Sequence, residues 1–323
     1  PYAHHVDDHM IALRDGSLMT VLKLDGFPFE TADDAELNYR QSVRTTLLRS
    51  LGSSRFGLYS HIVRRKVAPY PDGTFSEPFS RALNEAWRRR VTSANLYVND
   101  LYLTIIRRPL QGKVGAVEGL LRLVRDRADD AASQAQFERD RRELEAAIDG
   151  ALGVLEPYGA SRLGVYDGPG GLCSEPAEFL SSLYNGELRA VTLPRADLAR
   201  HIPYKRVTFG DEAFELRGAT AADSKVGAIL SLKDYPGETQ PGLIDTLLRL
   251  PHECVVTQSF GFVDRQVAIE RMKLALRRLR AASDDETRSL KADMESALDD
   301  VSYGRSAYGE HHLTVQLLAE DIA

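Results

Sequence analysis

The chain has only two cysteines, Cys173 and Cys254, far apart and outside any CxxC spacing. That excludes a disulfide framework and a cysteine-based zinc site, and it fits a reducing compartment. The two read as small buried hydrophobes. Long apolar runs are absent as well. None approaches the ~18 to 20 residues a bilayer-crossing helix needs, and no basic stretch leads into an apolar one at the start, so any membrane anchor must come from elsewhere. Excess positive charge is lacking too, with 41 Lys and Arg against 47 Asp and Glu giving a net charge of -6; the balance supplies no global reason to bind nucleic acid or anionic lipid. Several catalytic strings do not occur. There is no GxxxxGK[ST] phosphate loop, no GxSxG elbow and no HExxH helix. The chain opens at Pro1 without a Met, so residues upstream are expected to be missing from it.

What is present is enough for a sizeable core. With 323 residues, 43% hydrophobic and 27% charged, the chain has room for two domains of ordinary size. The stretch Val21 to Thr31, VLKLDGFPFET, returns as Ile229 to Thr239, ILSLKDYPGET. Leu22/Leu230, Leu24/Leu232, Pro28/Pro236, Glu30/Glu238 and Thr31/Thr239 are identical without a gap, so an internal duplication is expected. Each copy reads as an apolar strand, a Pro-containing turn and a Thr placed to cap a following helix. The fold class expected is α/β (α+β): two mixed-sheet subdomains with helices packed on them, residues 1–157 and 158–323, divided at Pro157-Tyr158-Gly159.

Along the chain, Met10 to Arg14 and Leu18 to Leu24 flank Asp15-Gly16, the signature of a hairpin. Tyr39, Val43, Leu47 and Leu51 recur every fourth residue in an amphipathic helix stopped by Gly52. Phe56 to Val63 and Leu101 to Ile106 read as strands covered on both faces. Between them, Phe79, Leu83, Trp87 and Val91 mark a helix that starts near Ser76-Glu77-Pro78. Helical sequence fills Val114 to Leu155, interrupted at Asp129-Asp130. Beyond the boundary come a strand from Arg162 to Tyr166, a Gly-rich loop, and a helix from Ser174 to Asn185-Gly186. Short strands follow near Val207 and Phe214, then a strand from Val226 to Leu232, a short helix through Leu243 to Leu248 and a strand from Cys254 to Phe262. A stripe through Met272, Leu276, Leu279, Leu290, Met294 and Val301 is either one long helix or, with Ser283 and Glu286 as a capping box, a helical hairpin. His311 to Ala319 alternates as a half-buried strand.

The candidates for chemistry are few. Asp167-Gly168-Pro169-Gly170-Gly171, read as lying between a strand and a helix N-terminus, has backbone N–H groups that could cradle a phosphate, but Cys173 stands where GxGxxG needs its last Gly. His4-His5, His9 and His311-His312 are the histidine clusters, and neighbours on a strand point to opposite faces, so neither pair chelates a metal alone. The basic clusters are Arg64-Arg65-Lys66, Arg88-Arg89-Arg90, Arg107-Arg108 and Arg277-Arg278 with Arg280. They could gather into one surface for nucleic acid or lipid headgroups, or pair with the many carboxylates. Trp87 with Arg88, Arg89 and Arg90 is the candidate membrane-proximal patch. Met272, Leu276, Leu279, Leu290 and Met294 are the candidate surface for a partner helix, or a core-facing stripe.

Four separated blocks carry a resemblance. Pro1-Tyr2 with HVDDHMIALRDGSLMTVLKLDGFPFET, SEPAEFLSSLYNG, LKDYPGETQPGLIDTLLRLPHECVVTQSFGF and YGEHHLTVQL are similar, in colinear order over nearly the whole chain, to the N-terminal region of the VirB/TrbE/CagE ATPases of bacterial type IV secretion and conjugation. The resemblance implies a large cytoplasmic ATPase, peripheral on the inner membrane, that powers pilus assembly and export of DNA or protein. In that family the Walker A and B motifs lie downstream of the block resembling YGEHHLTVQL. ATP and Mg therefore belong to a later domain, no catalytic, cofactor or metal residue carries over to this chain, and these residues alone are expected not to hydrolyse ATP. The implied role is docking on inner-membrane subunits and on other secretion ATPases, with assembly into a homo-oligomer, a hexamer. A nucleic-acid contact feeding substrate to the motor is the alternative.

Overall fold

The structure, a computed structural model, describes residues 1–28, 31–68, 70–71, 73–92, 96–109, 130–168, 170–194, 197–236, 242–281 and 286–320. Its opening meander is β1 (Tyr2–His5), β2 (Met10–Leu13) and β3 (Leu18–Leu24). Gly16 takes the positive φ that the β2–β3 turn requires, 85°, and the Ser17 N–H donates to Asp15 Oδ1 at 2.9 Å. α1 (Asp34–Ser50) follows, capped by Asp33, whose Oδ1 accepts from the Glu36 N–H at 2.8 Å. The expected cap, Thr31, instead donates its hydroxyl to Pro28 O at 3.3 Å. Asp33 wins because it stands immediately before the first helical residue, where a short carboxylate reaches the third helical N–H.

β4 (Phe56–Val67) and β5 (Leu96–Arg107) form a long ladder whose connection carries α2 (Pro78–Thr92). α3 (Asp130–Val154) ends in a single 3-10 turn, Glu156–Tyr158, and left-handed Gly159. Its expected extension through 110–129 lies outside the described residues. Where one strand was expected from Arg162 to Tyr166 there are two, β6 (Ser161–Arg162) and β7 (Val165–Gly168). β7 pairs with β8 (Gly171–Ser174), and α4 (Glu175–Asn185) runs from its Ser174 cap to left-handed Gly186.

The second half contributes β9 (Arg206–Phe209), β10 (Phe214–Arg217), β11 (Lys225–Ser231), β12 (Glu253–Phe262) and β13 (Gly309–Ala319). The short helix expected at Leu243 to Leu248 shrinks to one 3-10 turn, Leu247–Arg249. Pro251 forces Leu250 into an extended conformation, ψ 142°, leaving no room for a second turn. Between β12 and β13 the long stripe resolves into a hairpin of α5 (Arg265–Ala281) and α6 (Glu286–Ser302); Ser283 of the expected capping box lies outside the described residues.

Strands from both halves share one sheet, in the order β1-β2-β3-β5-β4-β12-β13-β11-β10-β9, with β6 beside β3. All the described ladders are antiparallel. Outward from its centre, one half runs β4, β5, β3, β2, β1 and the other β12, β13, β11, β10, β9, the same chain order twice. The register agrees. Leu22 of the first repeat faces Leu103 and its counterpart Leu230 faces Val315; these in turn face Ser60 and Val256. Ser60 pairs with Gln258 and Val256 with Ile62, one step either side of His61 opposite Thr257. The two matching segments thus hold equivalent places about a pseudo-twofold axis at that pair. Glu30, Glu238 and Thr239 of the repeat lie outside the described residues.

Each face buries a different set of side chains. On one face, α1 and α3 place Val43, Leu47, Leu144, Ile148 and Ala151 over Leu22, Leu58, Leu103 and Ile105, while Ile244, Leu247 and Leu248 cover Cys254, Val256 and Val315 of the second half. On the other face, α4 sets Ala177, Phe179 and Leu180 against Ile11, Met19, Val21 and Tyr102. This cover thins at the centre of the sheet, although Gly186 at the end of α4 still meets Leu216 and Leu318 of the second half. Past the centre, Thr257, Ser259, Thr314 and Gln316 remain half-exposed.

Candidate functional site

α2 buries none of its residues. Phe79, Leu83 and Trp87 are 77, 58 and 56% exposed, and their i, i+4, i+8 spacing puts them in one stripe. The helix expected from Phe79, Leu83, Trp87 and Val91 is present, but α2 belongs to no core cluster among the described residues. Around the stripe, the Arg90 guanidinium lies 5.8 Å from the Trp87 ring centroid and Arg88 lies 5.5 Å from that of Tyr70. Arg89 stands 4.0 Å from Glu85. The Tyr70 hydroxyl ties the helix down by donating to Asn84 Oδ1 at 2.7 Å. An exposed apolar stripe set among arginines suits a headgroup layer or an acidic partner.

The second set divides. Met272 and Leu276 are buried, 5 and 4% exposed, whereas Leu290 is 51% exposed. Met272 joins Ala268 and Val301 in a small core that also engages Met294, Ala297 and Leu298, so the hairpin spends most of the stripe on itself. Leu279 is half-buried. Met272, Leu290 and Met294 do share the lining of one hollow of about 400 Å³. Arg280 bridges the two helices to Glu295 at 3.2 Å.

The basic clusters lie apart. Arg107 is 1% exposed and donates to Asp140 and Glu143, each at 2.8 Å, while Arg55 reaches Glu143 at 2.8 Å. Burial pushes Glu143 up, but its hydrogen bonds and charge pairing with Arg107 and Arg55 outweigh that and hold the carboxyl below its usual range. Arg65 pairs with Asp100 at 2.5 Å, and Arg64 stacks 4.6 Å over Tyr97. Because Cys254 pairs with Arg64 and Gly261 with Gly57, β4 runs into α2 at one end of the sheet and β12 into α5 at the other. Arg64 to Lys66 and Arg88 to Arg90 therefore gather at the opposite end from Arg277, Arg278 and Arg280.

The Gly-rich segment is not a strand-to-helix loop. Gly168 pairs with Gly171 across the β7–β8 hairpin, and α4 begins only after β8. A side chain at Gly168 would stand 2.6 Å from Cys173 Sγ. The N-terminus of α4 is already served by Ser174 Oγ, which accepts from the Ala177 N–H at 3.1 Å. No GxxxxGK[ST] string occurs in the chain. His5 Nε2 is 3.0 Å from Ser174 Oγ, His9 Nδ1 is 2.9 Å from Leu163 O and His311 pairs with Tyr235, so the histidines act as local hydrogen-bonding groups. No set of metal-ligating side chains converges among the described residues, and no described helix is long and apolar enough to cross a membrane.

Comparison with known proteins adds a second line of observation. Residues 9–114 match the N-terminal domain model of the type IV secretion system ATPase VirB4/TrbE. Residues 161–323 match the CagE, TrbE, VirB family, a component of the type IV transporter system. Over nearly its whole length the chain is 34% identical to a type IV secretion system protein virB4 of Bartonella henselae. It is 32% identical to protein virB4 of Agrobacterium fabrum and 30% to a type IV secretion system protein virB4 of Brucella suis, each across 100% of the chain. The chain spans about 40% of the length of these relatives.

Proposed function

The chain belongs to the CagE, TrbE, VirB family of type IV transporter components, and from that membership we propose that these residues form the docking and oligomerisation region of a type IV secretion ATPase. In this reading the longer protein energises pilus assembly and transport of DNA or protein from the cytoplasmic side of a bacterial inner membrane. ATP and Mg act in another domain. The region here binds inner-membrane subunits and sister ATPases and joins a homo-oligomer, a hexamer.

The observation that carries the reading is α2. It is a helix that belongs to no core cluster among the described residues, with Phe79, Leu83 and Trp87 uncovered. An exposed apolar stripe of this kind marks a surface that meets a partner. Co-expression with the small inner-membrane subunit of the same secretion system tests it. The expected outcome is co-purification that is lost on Phe79→Ser/Leu83→Ser/Trp87→Ser, with the melting temperature unchanged. Independence from the triple substitution rejects α2 as the contact, and binding to single-stranded DNA that weakens steeply with salt supports the nucleic-acid alternative instead.

A further inference from the structure

A cavity of about 380 Å³ lies beside the pseudo-twofold axis, between α4 and the sheet, within the range typical of small-molecule sites. One wall is apolar and comes from Met19, Ile106, Leu180 and Leu183. The sheet side is polar. His61 Nδ1 is engaged with Thr257 Oγ1 at 3.1 Å, but Thr104 is 3% exposed and its buried hydroxyl has no hydrogen-bond partner among the described residues, an arrangement that costs stability unless something else satisfies it.

The remaining polar feature is Arg108. Its guanidinium lies flat across Gly57 and Gly261, which face each other on the two central strands; a Cβ on Gly57 would stand 2.6 Å from it and one on Gly261 3.3 Å. Glycine weakens strand interiors and marks places where another group must come close. Here two glycines on adjacent strands clear a floor for one cation. Among the described residues that side chain makes no ion pair or hydrogen bond, although most half-buried arginines of this chain meet a carboxylate. At the turn between β2 and β3, Asp15 also borders the cavity and opposes a second negative charge.

We propose that this cavity binds a small amphipathic monoanion, its charged head on the Arg108 guanidinium, its apolar body along Leu180, Leu183 and Met19, and a hydrogen bond supplied by the Thr104 hydroxyl. The head is a carboxylate or a phosphodiester, each of which carries a single charge at neutral pH. Asp15 excludes polyphosphates, which separates this ligand from the nucleotide handled elsewhere in the longer protein. Because the site straddles the junction of the two halves, its occupant braces one against the other.

Isothermal titration of the 323-residue chain with decanoate, methyl decyl phosphate and decanol, all below their aggregation concentrations, tests the proposal. Saturable one-site binding of at least one anion, with decanol at least tenfold weaker, is expected, and whichever anion binds more tightly identifies the head. Arg108→Gln is expected to lower that affinity at least tenfold, and Thr104→Val severalfold, with thermal unfolding followed in parallel. If Arg108→Gln does not fold, Thr104→Val alone carries the test. Absence of saturable binding, decanol binding as tightly as the anions, or folded variants that bind like the parent chain overturns it.

Discussion

His61 and Thr257 face each other on β4 and β12 at the midpoint of the tandem repeat, joined by a 3.1 Å contact between Nδ1 and Oγ1. Burial against Phe179, 5.2 Å between ring centroids, pushes the imidazole down from 6.5 to about 4. The unfolded chain therefore takes up this proton below about pH 6.5 while the folded one refuses it until about pH 4. Stability contributed by neutral His61 is complete above that window and is lost as pH falls through it, by roughly 3 kcal/mol in total. Denaturant melts at pH 7.5 and 4.5 are expected to show a smaller difference for His61→Gln than for the parent chain; equal differences reject the assignment.

Arg107 and Asp140 form a buried ion pair under α3. Arg107→Met leaves Asp140, 9% exposed, without its cation and is expected to cost about 3 to 5 kcal/mol. Arg107→Met with Asp140→Leu is expected to recover most of that loss, because two well-packed apolar groups replace a desolvated pair. Urea midpoints of the two variants decide it, and a double variant as unstable as the single one refutes the account.

Asn185 closes the C-terminal end of α4. Its Oδ1 accepts from the Tyr204 and Lys205 N–H groups at 3.0 and 2.9 Å, and its Nδ2 donates to Ser181 O and Ile202 O at 2.8 and 2.9 Å. Asn185→Leu strands two backbone donors in a fully buried site and is expected to cost on the order of 2 to 4 kcal/mol. Asn185→Asp keeps the acceptor but adds a buried charge, so it is also destabilising, and more so at pH 8 than at pH 4. Thermal melts at both pH values provide the check.

Ser174 is the simplest cap to probe. Ser174→Ala removes the acceptor for the Ala177 N–H and the contact to His5 and is expected to lower stability by about 1 kcal/mol, whereas Ser174→Asp is expected to retain the cap. A loss confined to noise in Ser174→Ala would mean that water replaces the hydroxyl.

Much of the frame was legible. Alternation at His311 to Ala319, the Asp15-Gly16 turn, and Ser174 with Gly186 at the two ends of α4 are local signals, and the structure realises each of them locally. The repeat at Val21 and Ile229 also pointed to the duplicated order of strands. Long-range pairing was not legible. Nothing around Phe79 or Leu83 distinguishes a stripe that meets a core from one that meets none, because periodicity reports a face and not its neighbour. Met272 and Met294 were equally ambiguous until the hairpin turned them toward each other. Arg108 was hidden for a similar reason: Gly57 and Gly261 are 204 positions apart in sequence, and only pairing of β4 with β12 makes them one floor.

The block from β6 through α4 sits between the two copies in the chain and covers mainly the first, touching Leu216, Lys225 and Leu318 of the second at its Gly186 end. A body that was truly twofold could meet its own image back to back and stop at two. This one is clothed unequally, so its left and right shoulders differ. Two unlike sides of this kind cannot make a self-matching pair, and contact between them is of the heterologous type.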